Sequence, residues 1–436
     1  MHDAIADKIF KPHPDYRLPL AFDLLYMRML LFNLMFAGLL NTAACKNSDS
    51  VTVSAIDTVH TDTHNDDAIL TGAEQTELWM PMLKGKEVAL VVNQTSVIGK
   101  KHLVDTLIAA GVHISTIFAP EHGFRGTEDA GATILNAKDT ATGIPVLSLY
   151  GNKKKPLPQD LADADIIIFD IQDIGARFYT YISTLHYVME SCAENKKKLL
   201  ILDRPNPNGY YVDGPVLEKA YTSFVGMHQI PIVHGMTIGE YARMVNGEHW
   251  LTNGVQCELQ VIPCANYDHT DIYNLDIPTS PNMRTMQAIY LYPTLCLFEG
   301  TNVSVGRGTD KPFEYIGSPY LPPTGFSFVP KSGSGAKTPP FMGQTCNGYD
   351  LSKWPVDSVR SGKINLAFFL EVYHNYASST PFFLENNFFN KLAGNAELMQ
   401  QIKAGLSEEE IRLSWQDDIK AFKQVRKKYL LYPDFE

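Results

Sequence analysis

The chain has 436 residues, more than one ordinary hydrophobic core accommodates, so two domains or one domain with a large extension are expected. Hydrophobic residues make up 45% of it, which supports a folded protein. The formal net charge of −11 argues against nucleic acid or an anionic membrane surface as the main partner and favours a small or neutral polymeric substrate.

At the N-terminus, Met27-Arg28-Met29 leads into an apolar run, Leu30 to Leu40, too short to span a bilayer, and then into Asn41-Thr42-Ala43-Ala44-Cys45. Small residues before a cysteine mark a cleavage site. The segment resembles a bacterial lipoprotein signal, with Cys45 as the lipidated first residue of a mature protein held at a membrane and facing the periplasm or cell exterior. Thr42 stands where such signals usually carry leucine. Lys11, Pro12, Pro14, Asp15 and Arg17 do not suit the start of a signal peptide, so the expected start is Met27 or Met29. Residues 1–45 are thus a signal region and 46–71 a tether rich in Ser, Thr and Asp. Within the tether, Asp62-Thr63-His64-Asn65-Asp66 imitates the H-x-D of metal-dependent amidohydrolases, but no buried strand precedes it, and no metal site is expected. Cys192, Cys257, Cys264, Cys296 and Cys346 are odd in number and lack C-x-x-C spacing, which implies buried thiols and neither zinc nor a complete disulfide framework. Cys257 with Cys264 is the pair an oxidising compartment would allow.

From Gly72 onward apolar runs begin near Val88, Ile114, Val146, Ile166 and Leu199, with helical periodicity over Leu103–Ala110 and Tyr181–Ala193. This β-α repeat predicts a doubly wound parallel sheet. A TIM barrel would need three more strand-helix units. The alternation fades after Pro215, so residues 72–215 read as one domain and 216–436 as a different second one.

The run Ile166 to Phe169 has no polar alternation, as expected of a central strand covered on both faces. It ends in Asp170, Gln172, Asp173, Arg177, Tyr179 and Tyr181. Three other runs also end in polar clusters: Asn93-Gln94-Thr95-Ser96, then Pro120-Glu121-His122-Gly123-Phe124-Arg125, then Asp203-Arg204-Pro205-Asn206. Four clusters on the carboxyl edge of one sheet describe the floor of a crevice. The second half offers an opposite wall in the segments containing His234, Asn282, and Glu299 with Asn302 and Arg307. Thr237 with Glu240 fits a capping box opening a helix at Ile238, and Ser407 with Glu410 another, opening a long amphipathic helix through Val425. Ser334-Gly335-Ala336-Lys337 matches S-x-x-K, but its Gly/Ser/Pro loop cannot open a helix, so the match is accidental.

P-loop, G-x-G-x-x-G, G-x-S-x-G and H-E-x-x-H patterns are all missing, so neither cofactor nor metal is implied. The remaining carboxylates, tyrosines, arginines and asparagines suit glycoside hydrolysis. Glu121 is the best candidate acid, because a position after a buried strand and a proline is partly desolvated, which favours the protonated form. Its bland alternatives are a helix-start carboxylate or a salt bridge to Arg125.

The motifs NQTS, PEHGFRG, DIQDIGARFYTY, DRPNP, HGMTIGE, SPNMR and EGTNVSVGRGTDKPFE, in this order, resemble those of the exo-β-N-acetylmuramidases, formerly a domain of unknown function, from about Gly72 to the C-terminus. The resemblance implies a Rossmann-like domain followed by a smaller α+β auxiliary domain, with the active site in the cleft between them. It also implies release of N-acetylmuramic acid from the non-reducing end of peptidoglycan fragments. The family's acid/base glutamate falls on Glu121. Gln94 replaces a proline frequent in the first motif. The second catalytic group stays open: Asp170 or Asp173 would act as nucleophile or orient the substrate's acetamido group. Substrate contacts are expected from Asn93, His122, Arg125, Gln172, Arg177, Tyr179, Tyr181, Asn206, His234, Asn282, Glu299, Asn302 and Arg307. Of these, Arg125, Arg177 and Arg307 are the candidates for reading the lactyl carboxylate. Competing readings are a non-catalytic lipoprotein that binds peptidoglycan fragments and a cell-wall amidase or esterase using His122 or His234.

Overall fold

A computed structural model describes residues 68–124 and 137–436. Cys45, the signal region, the Asp62–Asp66 motif and Arg125 lie outside the described residues.

The apolar runs become strands where they were expected. β1 (Glu87–Val92), a small hairpin of β2 (Val97–Ile98) and β3 (Lys101–His102), β4 (His113–Ala119), β5 (Ala137–Lys138), β6 (Pro145–Ser148), β7 (Ile166–Asp170), β8 (Lys198–Leu202) and β9 (Glu258–Ile262) follow in chain order. Apart from the hairpin they form a seven-stranded sheet in the order β5-β6-β4-β1-β7-β8-β9. Only β5 runs antiparallel. The six parallel strands therefore carry the doubly wound order 3-2-1-4-5-6, and the chain reverses its direction of travel between β1 and β7. An open sheet of this order rules out the barrel. Its last strand, β9, lies beyond Pro215, so the parallel sheet continues past the point where the alternation fades.

Helices cover both faces, which is why β1, β7 and β8 are almost wholly apolar. Alternate residues of each strand serve opposite layers. Ala89, Val91, Phe118, Ile167, Phe169, Leu199 and Ile201 join the core under α2 (Tyr181–Glu194) and α3 (Ile238–Gly247). Val88, Leu90, Val92, Ile117, Ile166, Ile168, Leu200 and Leu202 join the core under α1 (Leu103–Ala109) and Trp79. Each such side chain contributes roughly 1.5–3 kcal/mol on burial. The second half packs α4 (Met286–Leu295) and α5 (Leu366–Asn375) with a three-stranded antiparallel sheet of β10 (Tyr315–Ser318), β11 (Phe326–Phe328) and β12 (Cys346–Asp350). All described residues belong to one compact unit.

Both predicted capping boxes form, Thr237 with Glu240 and Ser407 with Glu410. The long C-terminal helix does not: it is two, α6 (Glu408–Leu413) and α7 (Gln416–Arg426), because the chain bends at Ser414–Trp415 to bury Trp415. The five described cysteines are free and buried. Cys257 lies against Cys192, not Cys264, which belongs to a separate cluster.

Candidate active site

The turn that follows β4 positions the first functional group. Gly123 N donates to Pro120 O at 3.0 Å and closes the turn. His122 within it takes φ +70°, a left-handed conformation that side chains other than glycine seldom adopt. The turn leaves Glu121 half-buried at the edge of a cleft. Thr180 stands at the N-cap position of α2, where a threonine ordinarily caps the helix, yet its side chain makes no cap bond. Instead its hydroxyl donates to Glu121 Oε2 at 2.9 Å, which gives up local helix stability to fix a carboxylate. Tyr150 adjoins the same carboxylate. Burial first, then the Glu121 charge and a hydrogen bond to it, push the Tyr150 phenol well above its usual range, so it stays protonated as a donor.

The cleft has two connected chambers. A smaller, more enclosed one is lined by Glu121, His122, Tyr179, Tyr181, Asn282 and Arg307, with aromatic walls from Phe178, Tyr292 and Phe313. A larger and more open one shares Glu121, Phe178, Thr180, Tyr292 and Arg307 and adds Tyr150, Phe224, Glu299 and the 335–340 loop. Glu121 and Arg307 thus stand where the chambers meet. The aromatic wall is built of edge contacts, Tyr179 on Tyr181 at 5.0 Å, Tyr179 on Tyr292 at 5.6 Å and Tyr292 on Phe313 at 4.9 Å. Such a surface suits the apolar face of a sugar. Arg307 packs over Phe313 at 5.0 Å and donates to Glu299 Oε1 at 2.6 Å. Burial alone would lower its pKa, but the Glu299 charge outweighs it and holds the guanidinium firmly ionised.

The structure thus brings together Glu121, His122, Tyr179, Tyr181, Asn282, Glu299 and Arg307. Asn282 Nδ2 also donates to Gly335 O at 2.7 Å and braces the loop that walls the outer chamber.

The other sequence candidates go elsewhere. Asp170 is fully buried and held on both oxygens by Arg204, at 2.6 and 3.0 Å, outside the cleft. Asp173 is also buried off the cleft: Gly175 N donates to its Oδ2 at 2.7 Å while Oδ1 finds no partner, and burial pushes its pKa up to about 7. Neither carboxylate is positioned to assist Glu121. Arg177 is no lactyl reader either, nor does it pair with Asp173. Its guanidinium donates to the carbonyls of Pro215, Ile230, Leu392 and Ala393 at 2.7–2.8 Å, and burial lowers its pKa to about 9.

Gln172 and Asn206 spend their amides on backbone carbonyls, of Asp173 and Pro205 and of Met236 respectively. Asn93 is wholly buried and accepts from Thr95. Asn302 bonds Pro381 O. His234 is buried, with Nε2 unpartnered and its pKa driven down to about 3 by burial and then by the Arg426 and Arg177 charges, so it is a neutral interior ring and not a base for an amidase.

Thr180, Tyr150 and the 335–340 loop were missed. Only Thr180 had a signal, its place inside the polar stretch after β7. Of the S-x-x-K match, Gly335, Ala336 and Lys337 line the cleft as wall.

Residues 88–287 match the family described as exo-beta-N-acetylmuramidase NamZ, N-terminal, and residues 290–432 match its C-terminal counterpart. The peptidoglycan beta-N-acetylmuramidase NamZ of Bacillus subtilis (strain 168) is 39% identical over 368 residues, covering 80% of this chain and 88% of that protein. Two crystal structures of DUF1343 family proteins from Bacteroides fragilis NCTC 9343 are also similar. One has a TM-score of 0.78 at 46% identity and the other 0.70 at 30%, each match covering 84% of this chain and 99% of theirs.

Proposed function

This chain belongs to the NamZ family of exo-beta-N-acetylmuramidases and is a glycoside hydrolase; we propose that it releases N-acetylmuramic acid from the non-reducing end of peptidoglycan fragments with Glu121 as its proton donor. The observation that carries this reading is the place of Glu121 at the junction of a small enclosed chamber and an open one. A scissile bond between a terminal sugar in the enclosed chamber and the rest of the glycan in the open one passes over that carboxyl group. Thr180 and Tyr150 orient it, and protonating the departing oxygen removes the charge a sugar alcoholate would otherwise carry. Arg307, at the same junction, is a cation that supports recognition of the lactyl carboxylate, which separates a muramide from a glucosaminide.

Release of free sugar from a chromogenic N-acetylmuramide tests the enzymatic reading, and an inactive wild-type protein would return the non-catalytic binding alternative to first place. The sequence further supports lipidation at Cys45 and a location facing the periplasm or cell exterior. Mass spectrometry of the native N-terminus tests this, and an intact peptide across Ala44-Cys45 in most of the protein would sink it. Cys45→Ser should move the protein to the soluble fraction, since lipid chains supply the anchoring free energy.

A further inference from the structure

From Pro263 to Thr285, between β9 and α4, the chain has neither helix nor strand of its own. A connection this long keeps one conformation only where side chains tie it down. Four of the ties meet at Pro278 and Thr279. Tyr179 OH donates to Thr279 Oγ1 at 2.7 Å and Tyr181 OH to Thr279 O at 2.8 Å, both from the cleft side. From the loop after β1, Gln94 Nε2 donates to Pro278 O and to Thr279 O, at 2.9 Å each. One primary amide therefore answers two successive carbonyls with its two hydrogens. The residues directly after this point, Ser280, Asn282 and Met283, line the enclosed chamber, whereas Gln94 does not touch it.

We infer that Gln94 is a positioning residue that fixes the 278–283 wall and so sets the fit of the enclosed chamber to the terminal sugar. The inference rests on the muramidase reading of that chamber. A side chain without two donors removes the hold on the wall from the loop after β1. The wall then relaxes, terminal-sugar binding weakens, and the chemistry at Glu121 is left largely intact.

The test compares Gln94→Met, which keeps length but has no donor, with Gln94→Lys, which restores donors to both carbonyls. Both are assayed in the full chain on a nitrophenyl N-acetylmuramide and the matching glucosaminide. The Met variant should raise KM for the muramide on the order of tenfold, with a smaller change in kcat and a narrowed preference over the glucosaminide. The Lys variant should recover most of the loss. Gln94→Glu, equal in shape but without donors at neutral pH, substitutes for Met if that variant does not fold. A Met variant with wild-type KM and preference overturns the inference, as does one whose melting temperature falls while KM stays fixed, or a Lys variant no better than Met. An inactive wild-type protein would instead overturn the muramidase reading.

Discussion

Glu121 after β4 and Asp170 at the end of β7 are carboxylates on the same sheet edge, separated only by β1, and their surroundings differ in one respect. Glu121 is half-buried and opens onto the cleft with a hydroxyl aimed at one oxygen. Asp170 is sealed, and a single guanidinium takes both of its oxygens. The contrast extends to their neighbours. Around Glu121 the tyrosines and Arg307 face empty volume. Elsewhere in the clusters after β7 and β8, Arg177, Asn206 and Asp203 spend their hydrogen bonds on the fold. Asp203 alone accepts from Thr237, Tyr432, Gly239 N and Arg204 N, which ties β8 to α3 and the C-terminal tail. A polar cluster at a strand end can therefore bind a ligand or fasten the second half of the chain to the sheet. What separates the two uses is whether the side chains border an open cavity or are sealed in the interior.

The sharpest way to break this contrast is Glu121→Gln. The variant should fold normally and lose on the order of 10²- to 10⁴-fold activity on the natural disaccharide. The loss should be far smaller for the glycosylation step on a nitrophenyl muramide, whose leaving group needs little protonation. Equal loss on both substrates would assign Glu121 a nucleophilic or orienting role instead.

On the fastening side, Arg177→Met removes a guanidinium that donates to four buried carbonyls, of which Ile230 O keeps a second donor in Leu217 N, and should lower stability by about 3 kcal/mol or more in urea unfolding. Arg177→Lys should fall in between, because an ammonium cannot span four carbonyls. Unchanged stability together with an altered sugar preference would return Arg177 to the cleft.

Arg307→Ala should weaken muramide turnover by about 2–3 kcal/mol in kcat/KM and narrow the preference over a glucosaminide, with Glu299→Gln as the control for loss of the ion pair. Preference that survives in both variants would move lactyl recognition to another group.

The smallest effect concerns Asp173. Its folded pKa is raised from the ordinary 3.8 to about 7, so the stability its protonated form contributes is fully present below pH 3.8 and is lost as pH rises through about 7. Asp173→Asn lacks that loss. Relative to wild type it should gain stability progressively between pH 4 and pH 8. His234, with its pKa depressed to about 3, contributes a slope of opposite sign, lost as pH falls below 6.5, but it cancels in the difference. A flat difference curve would mean that Asp173 is solvated.

The parallel sheet was legible because its central strands are buried on both faces, and that leaves an unbroken apolar signature such as Ile166–Phe169. The capping boxes were legible because both partners lie within one turn. β9 was not: it is an edge strand with Glu258 exposed and Leu259, Gln260 and Val261 half-buried, so its pattern is diluted. The break between α6 and α7 was hidden too, because the burial of Trp415 depends on what it packs against.

Of the residues that border the cleft, Glu121, His122, Tyr179, Tyr181, Asn282, Glu299 and Arg307 were named from the sequence through motif resemblance and position after apolar runs. What composition and periodicity could determine was the α/β class, the strand ends that carry polar residues and the inventory of groups available for chemistry. Only the tertiary structure decided which of those groups face a cavity. The partners that make Asp170 and Arg177 structural come from Arg204 and from carbonyls at Pro215, Ile230, Leu392 and Ala393. Those bonds are set by how the second half of the chain docks on the sheet, a long-range fact that no local pattern encodes.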